Sequence, residues 1–113
     1  MTDVLITTWT DVCALADLTI GRGAAALIDG EQVALFRWDA DTVYALANLD
    51  PFSGAFVMSR GIVGSRGDVR KVASPIYKQA FDLATGACLD DPAVHLATFP
   101  VRVVDGRIEV GSA

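Results

Sequence analysis

Short apolar, β-branched runs broken by Asp-Gly and other glycine turns dominate the chain, and their spacing predicts strands. Residues 4-VLITTW-9 form the first such run. Thr10 followed by 11-DVCALAD-17 has the look of an N-cap and a short N-terminal helix of one or two turns, with Asp11 near its positive end. Next, 24-AAALIDGEQVALFRW-38 divides at Asp29-Gly30, the dipeptide favoured in two-residue hairpins. A second turn at 39-DAD-41 leads into 42-TVYALAN-48, so a three-strand meander is expected. Two short strands are expected about Thr85-Gly86 in 80-AFDLATGACL-89. The chain closes with a hairpin in 97-ATFPVRVVDGRIEV-110, turning at Asp105-Gly106. There the alternation of Val101 and Val103 with Arg102 and Val104 predicts one buried face. Together these elements predict a mostly β domain, a small antiparallel sandwich or barrel.

Between residues 49 and 80 the periodicity fails. Pro51, Gly54, Gly61, Gly64, Gly67 and Pro75 interrupt each run, which predicts a long excursion of little regular structure. Excursions of that length in compact domains are usually functional or packed by their own side chains. The expected organisation is a single domain over 1–113, with a base sheet from about 1–48 and 82–113 and an inserted lobe from about 49–81.

Composition narrows the class. At 52% apolar and 20% charged residues, the chain is that of an ordered globular protein. Its longest stretch free of Asp, Glu, Lys and Arg is the ten-residue 92-PAVHLATFPV-101, too short to span a bilayer. The opening MTDVLITTWTD has neither a basic nor a long apolar segment, so a cytoplasmic location with no membrane partner is expected. The net charge of −5 argues against nucleic acid as a partner. Charge is also unevenly spread. Residues 51–81 carry Arg60, Arg66, Arg70, Lys71 and Lys78 against Asp68 alone, a net of +4, whereas the remainder carries four bases and thirteen acids, a net of −9. A basic lobe on an acidic body is either a docking feature or a solvated loop that happens to be basic.

Most candidate chemistry dissolves on inspection. Gly21-Arg-Gly23-Ala-Ala-Ala26 fits the dinucleotide fingerprint G-x-G-x-x-A, but it leads into a hairpin rather than a helix that could receive a pyrophosphate. Arg66-Gly67-Asp68 has no secreted context to give it meaning. Any Cys/His or Ser/His/Asp catalytic set would have to use the single histidine, His95, which lies beside an apolar run. Asp90-Asp91 has the character of a solvated turn. Cys13 and Cys88 suit no disulfide framework and are expected to be reduced and packed as small hydrophobes. With His95 they supply three candidates for the four positions of a Rieske [2Fe–2S] centre, at none of its spacings.

That count matters because the framework resembles a Rieske domain. The first loop, 50-DPFSGA-55, keeps the proline, glycine and alanine of the family's C-P-H-x-G-A but has Asp50 and Phe52 at the ligand positions. The second, 74-SPIYKQAFDLATG-86, keeps Pro75, Phe81, Asp82, Leu83, Thr85 and Gly86, with Ser74 and Tyr77 at the ligand positions and Lys78 where glycine is usual. More specifically, 48-NLDPFSGA-55, 59-SRGIVG-64 and 72-VASPIYKQAFDLATGACL-89 together resemble the small subunit of assimilatory NAD(P)H-dependent nitrite reductase, a Rieske-like domain without the cluster.

The resemblance implies a Rieske-like ferredoxin fold and a chain that binds no cofactor and carries no catalytic residue. It also implies a partner, the large subunit of nitrite reductase, in which FAD, sirohaem and a [4Fe–4S] cluster reduce nitrite to ammonium at the expense of NAD(P)H. Without iron the two loops need another tie. Phe52 is expected to fill the vacated volume with Tyr77 packed against it, the Tyr77 hydroxyl reaching a loop carbonyl or Asp50, and Ser74 binding local backbone. The expected docking surface is the basic, aromatic tip: Phe52, Arg60, Arg66, Arg70, Lys71, Tyr77 and Lys78. Three alternatives stay open on the residues: an electron carrier with altered ligands, a stand-alone binding module, and an enzyme on a recycled scaffold.

Overall fold

The structure, a computed structural model, describes residues 8–112. Ten strands form three antiparallel sheets: β1 (Thr8–Ala14), β2 (Gly23–Ile28), β3 (Glu31–Arg37), β4 (Val43–Ala47), β5 (Ile62–Arg66), β6 (Val69–Ala73), β7 (Ala80–Asp82), β8 (Thr98–Phe99), β9 (Val101–Val104) and β10 (Arg107–Ser112). Their spatial orders are β1-β10-β9, β2-β3-β4-β8 and β5-β6-β7. The mostly β, antiparallel character expected from the sequence is what the chain adopts.

Two Asp-Gly turns set the register of the base. Asp29 and Gly30 have φ of 50° and 79°, and Asp105 and Gly106 have 51° and 75°. Left-handed values at both central residues match the right-handed twist of the flanking strands, which is why this dipeptide closes hairpins. The first turn pairs Ile28 with Glu31 and the second pairs Val104 with Arg107.

The β2-β3-β4-β8 sheet sits in the middle, and the uninterrupted apolar run 33-VALF-36 explains how. Val33 and Leu35 face a cluster with Leu18, Ile28, Ala45, Ile108 and Val110, which joins this sheet to β10. Ala34 and Phe36 point the other way, into a cluster with Leu46, Met58, Val72, Phe81, Leu83, Cys88 and Leu96. A strand buried on both faces has no solvated side to read as polar.

Four local expectations need correction. Residues 11–14 continue β1 rather than beginning a helix, and only a single 3-10 turn, Leu15–Asp17, follows. Pairing of β1 with β10 satisfies this backbone, with a bulge between Asp11 and Cys13, while so short a helix would gain little after its nucleation cost. Residues 4–7 of the strand expected at 4–9 lie outside the described residues. The 49–80 excursion is not irregular, since β5 and β6 pair in register from Ile62–Ala73 to Arg66–Val69. Its turn is the Gly67-Asp68 pair of the Arg66-Gly67-Asp68 tripeptide, with Gly67 at φ 60°. After Gly86, the second strand expected near 87–89 is reduced to isolated pairings, Phe81 with Cys88 and Ala87 with His95. Finally, Val103 is 39% exposed and Val104 42%. In that hairpin the buried face belongs to Ile108 and Val110 of β10, both fully buried.

Candidate functional site: the paired loops

The two loops of the excursion, residues 48–61 and 74–80, meet at one point. Asp50 is fully buried and Ser74 is 1% exposed. The Ser74 hydroxyl donates to Asp50 Oδ2 at 2.5 Å, across 24 residues of sequence. Asp50 also accepts from the Phe52 amide at Oδ1 (2.9 Å) and from the Ser53 hydroxyl at Oδ2 (3.0 Å). Burial pushes the Asp50 carboxyl up, but the hydrogen bonds from Ser74, Phe52 and Ser53 outweigh it and hold the group below its ordinary value. Among the described residues the carboxylate thus has three donors from the two loops and no cation. Short hydrogen bonds to a carboxylate are among the strong ones.

Each loop is also closed locally. In the first, the Gly54 amide donates to Asp50 O (2.8 Å) and the Asp50 amide to Ala55 O (2.8 Å). In the second, the Lys78 amide donates to Ser74 O (3.1 Å) and the Ser74 amide to Gln79 O (2.9 Å). Asn48, 1% exposed, anchors the base of the first loop. Its Oδ1 accepts from the Ser59 amide at 2.8 Å and its Nδ2 donates to Gln32 Oε1 at 3.1 Å. The Ala80 amide donates to Asp90 Oδ2 at 2.8 Å, and this bond, followed by Arg66, holds the exposed Asp90 carboxyl below its ordinary value.

The expected filler arrangement is half right. Phe52 is half-buried against the lobe-side core, 6.2 Å from Phe81 between ring centroids. Tyr77 does not close over it, being 60% exposed beside Ile76, itself 44% exposed. Asp50 instead takes its donors from Ser74, Ser53 and the Phe52 amide, all of them short and local to the two loops. Ser74 bonds locally as expected, accepting from the Ile76 amide at 3.3 Å, but its principal partner is Asp50.

The four positions do not fit a [2Fe–2S] cluster. Phe52 offers only carbon, and Tyr77 projects into solvent. Asp50 and Ser74 lie at hydrogen-bond distance from each other, leaving no room between them for iron. Cys88 is buried in the lobe-side core, and Cys13 packs against the opposite one, its thiol raised by burial and the nearby Asp17 carboxylate. Among the described residues no three His, Cys, Asp or Glu side chains gather around a metal-sized space.

The basic residues divide into two groups. Arg66 is paired to Asp90 at 3.1 Å, and Arg70 lies 4.8 Å from the Trp38 ring while donating to the Tyr44 hydroxyl at 3.1 Å. Both are committed within the chain. Arg60 and Lys78 have no side-chain partner among the described residues, and the Lys71 charge adds a small share to the lowering of Asp90. Lys78 also has φ 65°, a left-handed conformation that costs a non-glycine residue about 1 kcal/mol. His95 is exposed on the short Ala87 pairing, away from any nucleophile with which it forms a bond.

A fold of three antiparallel sheets, with two loops meeting where an iron–sulfur centre would lie, is the architecture of a Rieske domain. Residues 8–111 match the model of the Rieske-like [2Fe-2S] domain family. The chain is 40% identical to the nitrite reductase (NADH) small subunit of Salmonella typhimurium, over 90% of this chain and 95% of that one. The NMR structure of Escherichia coli NirD superposes with a TM-score of 0.87 at 36% identity, covering 94% of this chain and 97% of the other. It also matches, at 39% identity over 92% of its length, a segment that makes up 11% of the nitrite reductase [NAD(P)H] large subunit of Klebsiella oxytoca. The chain belongs to the Rieske-like domain family and, within it, to the small subunits of NAD(P)H nitrite reductase.

Proposed function

We propose that this chain is the non-catalytic small subunit of a cytoplasmic NAD(P)H-dependent nitrite reductase and acts by docking its loop tip onto the large subunit. The observation that carries this reading is the tie between Asp50 and Ser74, which stands where a Rieske protein has its metal. A tip kept in shape after losing its redox group has a use in recognition rather than in electron transfer. The similarity to a segment of a Klebsiella oxytoca large subunit supports the same view, since there the domain and its partner share one chain. FAD, sirohaem and a [4Fe–4S] cluster would reside in that partner, as the resemblance implies.

The surface of the tip supplies suitable contacts. Ile76 and Tyr77 present apolar area at the crest, and Lys78 follows immediately in a conformation that glycine would adopt more easily. Backbone strain kept at an exposed position points to a use for the side chain. Aromatic and cationic anchors of this kind carry most of the energy of protein interfaces. Of the seven expected contacts, Phe52 is better placed as a core filler, and Arg66 and Arg70 as internal ties, than as partner contacts.

Co-purification with the large subunit, and nitrite reduction with and without this chain, test the proposal. The expected result is a complex whose activity depends on the chain. Turnover of nitrite by this chain alone, or no association at low salt, would contradict it.

A further inference from the structure

A second cationic feature flanks the tip, and only half of it was visible among the lobe's own charges. Arg22, from the segment leading into β2, and Arg60, at the end of the first loop, line one open cleft of about 290 Å³ with Gly23, Ser59 and Gly61. Arg22 belongs to the base by sequence. Two backbone approaches bring it to the lobe. A Cβ on Gly23 would lie 2.4 Å from Ser59 O and 2.6 Å from the Phe36 ring, and one on Gly61 would lie 2.6 Å from Ala73 O. Only glycine permits either approach. Gly61 thus brings one wall of the cleft against Ala73, which precedes Ser74 of the second loop, and Ile62, the residue after Gly61, pairs with Ala73 and is 64% exposed.

Among the described residues no acid lines this cleft. Neither guanidinium has a partner among the described residues, on a protein whose net charge is −5. The local amides are already used: Arg22 N donates to Thr19 O, Arg60 N to Val57 O, Gly61 N to Met58 O and Ser59 N to Asn48 Oδ1. What remains to bind a ligand is therefore two guanidiniums and the Ser59 side chain, a donor set for a planar oxyanion.

We infer that the Arg22–Arg60 cleft receives a carboxylate side chain of the docked large subunit. This deepens the docking reading and rests on it. Free nitrite, phosphate or acetate presents the same oxyanion chemistry, but an exposed guanidinium in high-dielectric surroundings holds such an ion too weakly at millimolar concentration. A carboxylate delivered by a docked protein arrives pre-positioned and partly desolvated, where paired charges gain in strength. The cleft then serves as the flank of the same interface whose crest is Ile76, Tyr77 and Lys78, and Arg22 is a specificity residue outside the lobe.

The test is the affinity of the full chain for the large subunit, measured by calorimetry at low salt for wild type, Arg22→Glu, Arg60→Glu and Lys78→Glu. Neither arginine bonds within the described fold, so all four proteins should melt alike. Arg22→Glu and Arg60→Glu are each expected to weaken binding by about tenfold or more, with the difference shrinking at 0.5 M salt. If Lys78→Glu weakens binding and the two arginine variants do not, the cleft lies outside the interface, and the inference fails while the docking reading stands. If none of the three changes affinity, or wild type does not bind, both fail. Titration with nitrite, phosphate and acetate, followed on the arginine side-chain NMR signals, separates the sources. Saturation below about 1 mM by any of them would make the cleft a small-anion site and overturn the assignment to a protein carboxylate.

Discussion

The base of the molecule and its loop tip are held together by different forces. The base core of Leu18, Ile28, Val33, Leu35, Ala45, Ile108 and Val110 is wholly apolar and non-directional. By contrast, the three buried polar or charged residues among those described, Asn48, Asp50 and Ser74, all lie in the two loops. Apolar burial supplies stability in rough proportion to area and tolerates small shifts. A buried carboxylate with three donors tolerates few, because each unmet partner is costly. In a Rieske protein iron imposes the geometry of the loops. Here directional hydrogen bonds do so, and the packing of Phe52 on Phe81 supports them.

Breaking each region should therefore have different consequences. Ile108→Ala, which opens a cavity in the base core, is expected to cost about 4 kcal/mol of unfolding free energy by denaturant titration. Its tip should keep native amide shifts in NMR spectra. Asp50→Ala strands the Ser74 and Ser53 hydroxyls and the Phe52 amide, and should cost about 3 kcal/mol. Here the shift changes should concentrate in residues 48–61 and 74–80; an equal spread over the base would refute the division. Ser74→Ala removes one donor and should cost about 1.5 kcal/mol, again felt at the tip.

Lys78→Gly should act in the opposite direction. Relief of its left-handed strain, less the added freedom of glycine when unfolded, leaves a gain of at most about 1 kcal/mol, while partner binding weakens. A variant both more stable and tighter-binding would remove the reason given for lysine there. Acid sharpens the contrast further. Because the folded Asp50 pKa lies below its unfolded value, the unfolded chain binds more protons in the interval between them. Stability therefore rises with pH across that window. The contribution is complete above about pH 4, the ordinary range of an aspartate, and is lost as pH falls through the folded pKa. Asp50→Asn should flatten this part of the acid-unfolding curve, whereas Ile108→Ala should only displace it.

The base was largely legible in the sequence because local signals agree with the fold. Asp29-Gly30 and Asp105-Gly106 mark turns by residue type alone, and the apolar runs supply the strands. At 11-DVCALAD-17 a local helix signal lost to pairing with a strand more than 90 residues away, which no window along the chain can register. The β5–β6 hairpin was legible in principle, since Gly67-Asp68 is a two-residue turn signal, but the many glycines and prolines around it masked the short strands. At the site, the motif placed Asp50, Phe52, Ser74 and Tyr77 together but could not say which would bond. Hydroxyls on Ser74 and Tyr77 are equivalent as letters; only the short side chain stays inside. Likewise, charge counting could not show that Asp90 and Trp38 already occupy Arg66 and Arg70, nor that Gly23 brings Arg22 beside Arg60.

The most direct measurement compares the affinity of Asp50→Ala and Ile108→Ala for the nitrite reductase large subunit, at a temperature where both remain folded. If a hydrogen-bonded tip in place of a metal centre is what the partner recognises, Asp50→Ala should lose about tenfold or more in affinity, although it is the more stable of the two. Ile108→Ala should stay within about twofold of wild type. Equal affinities for the two variants would contradict the account.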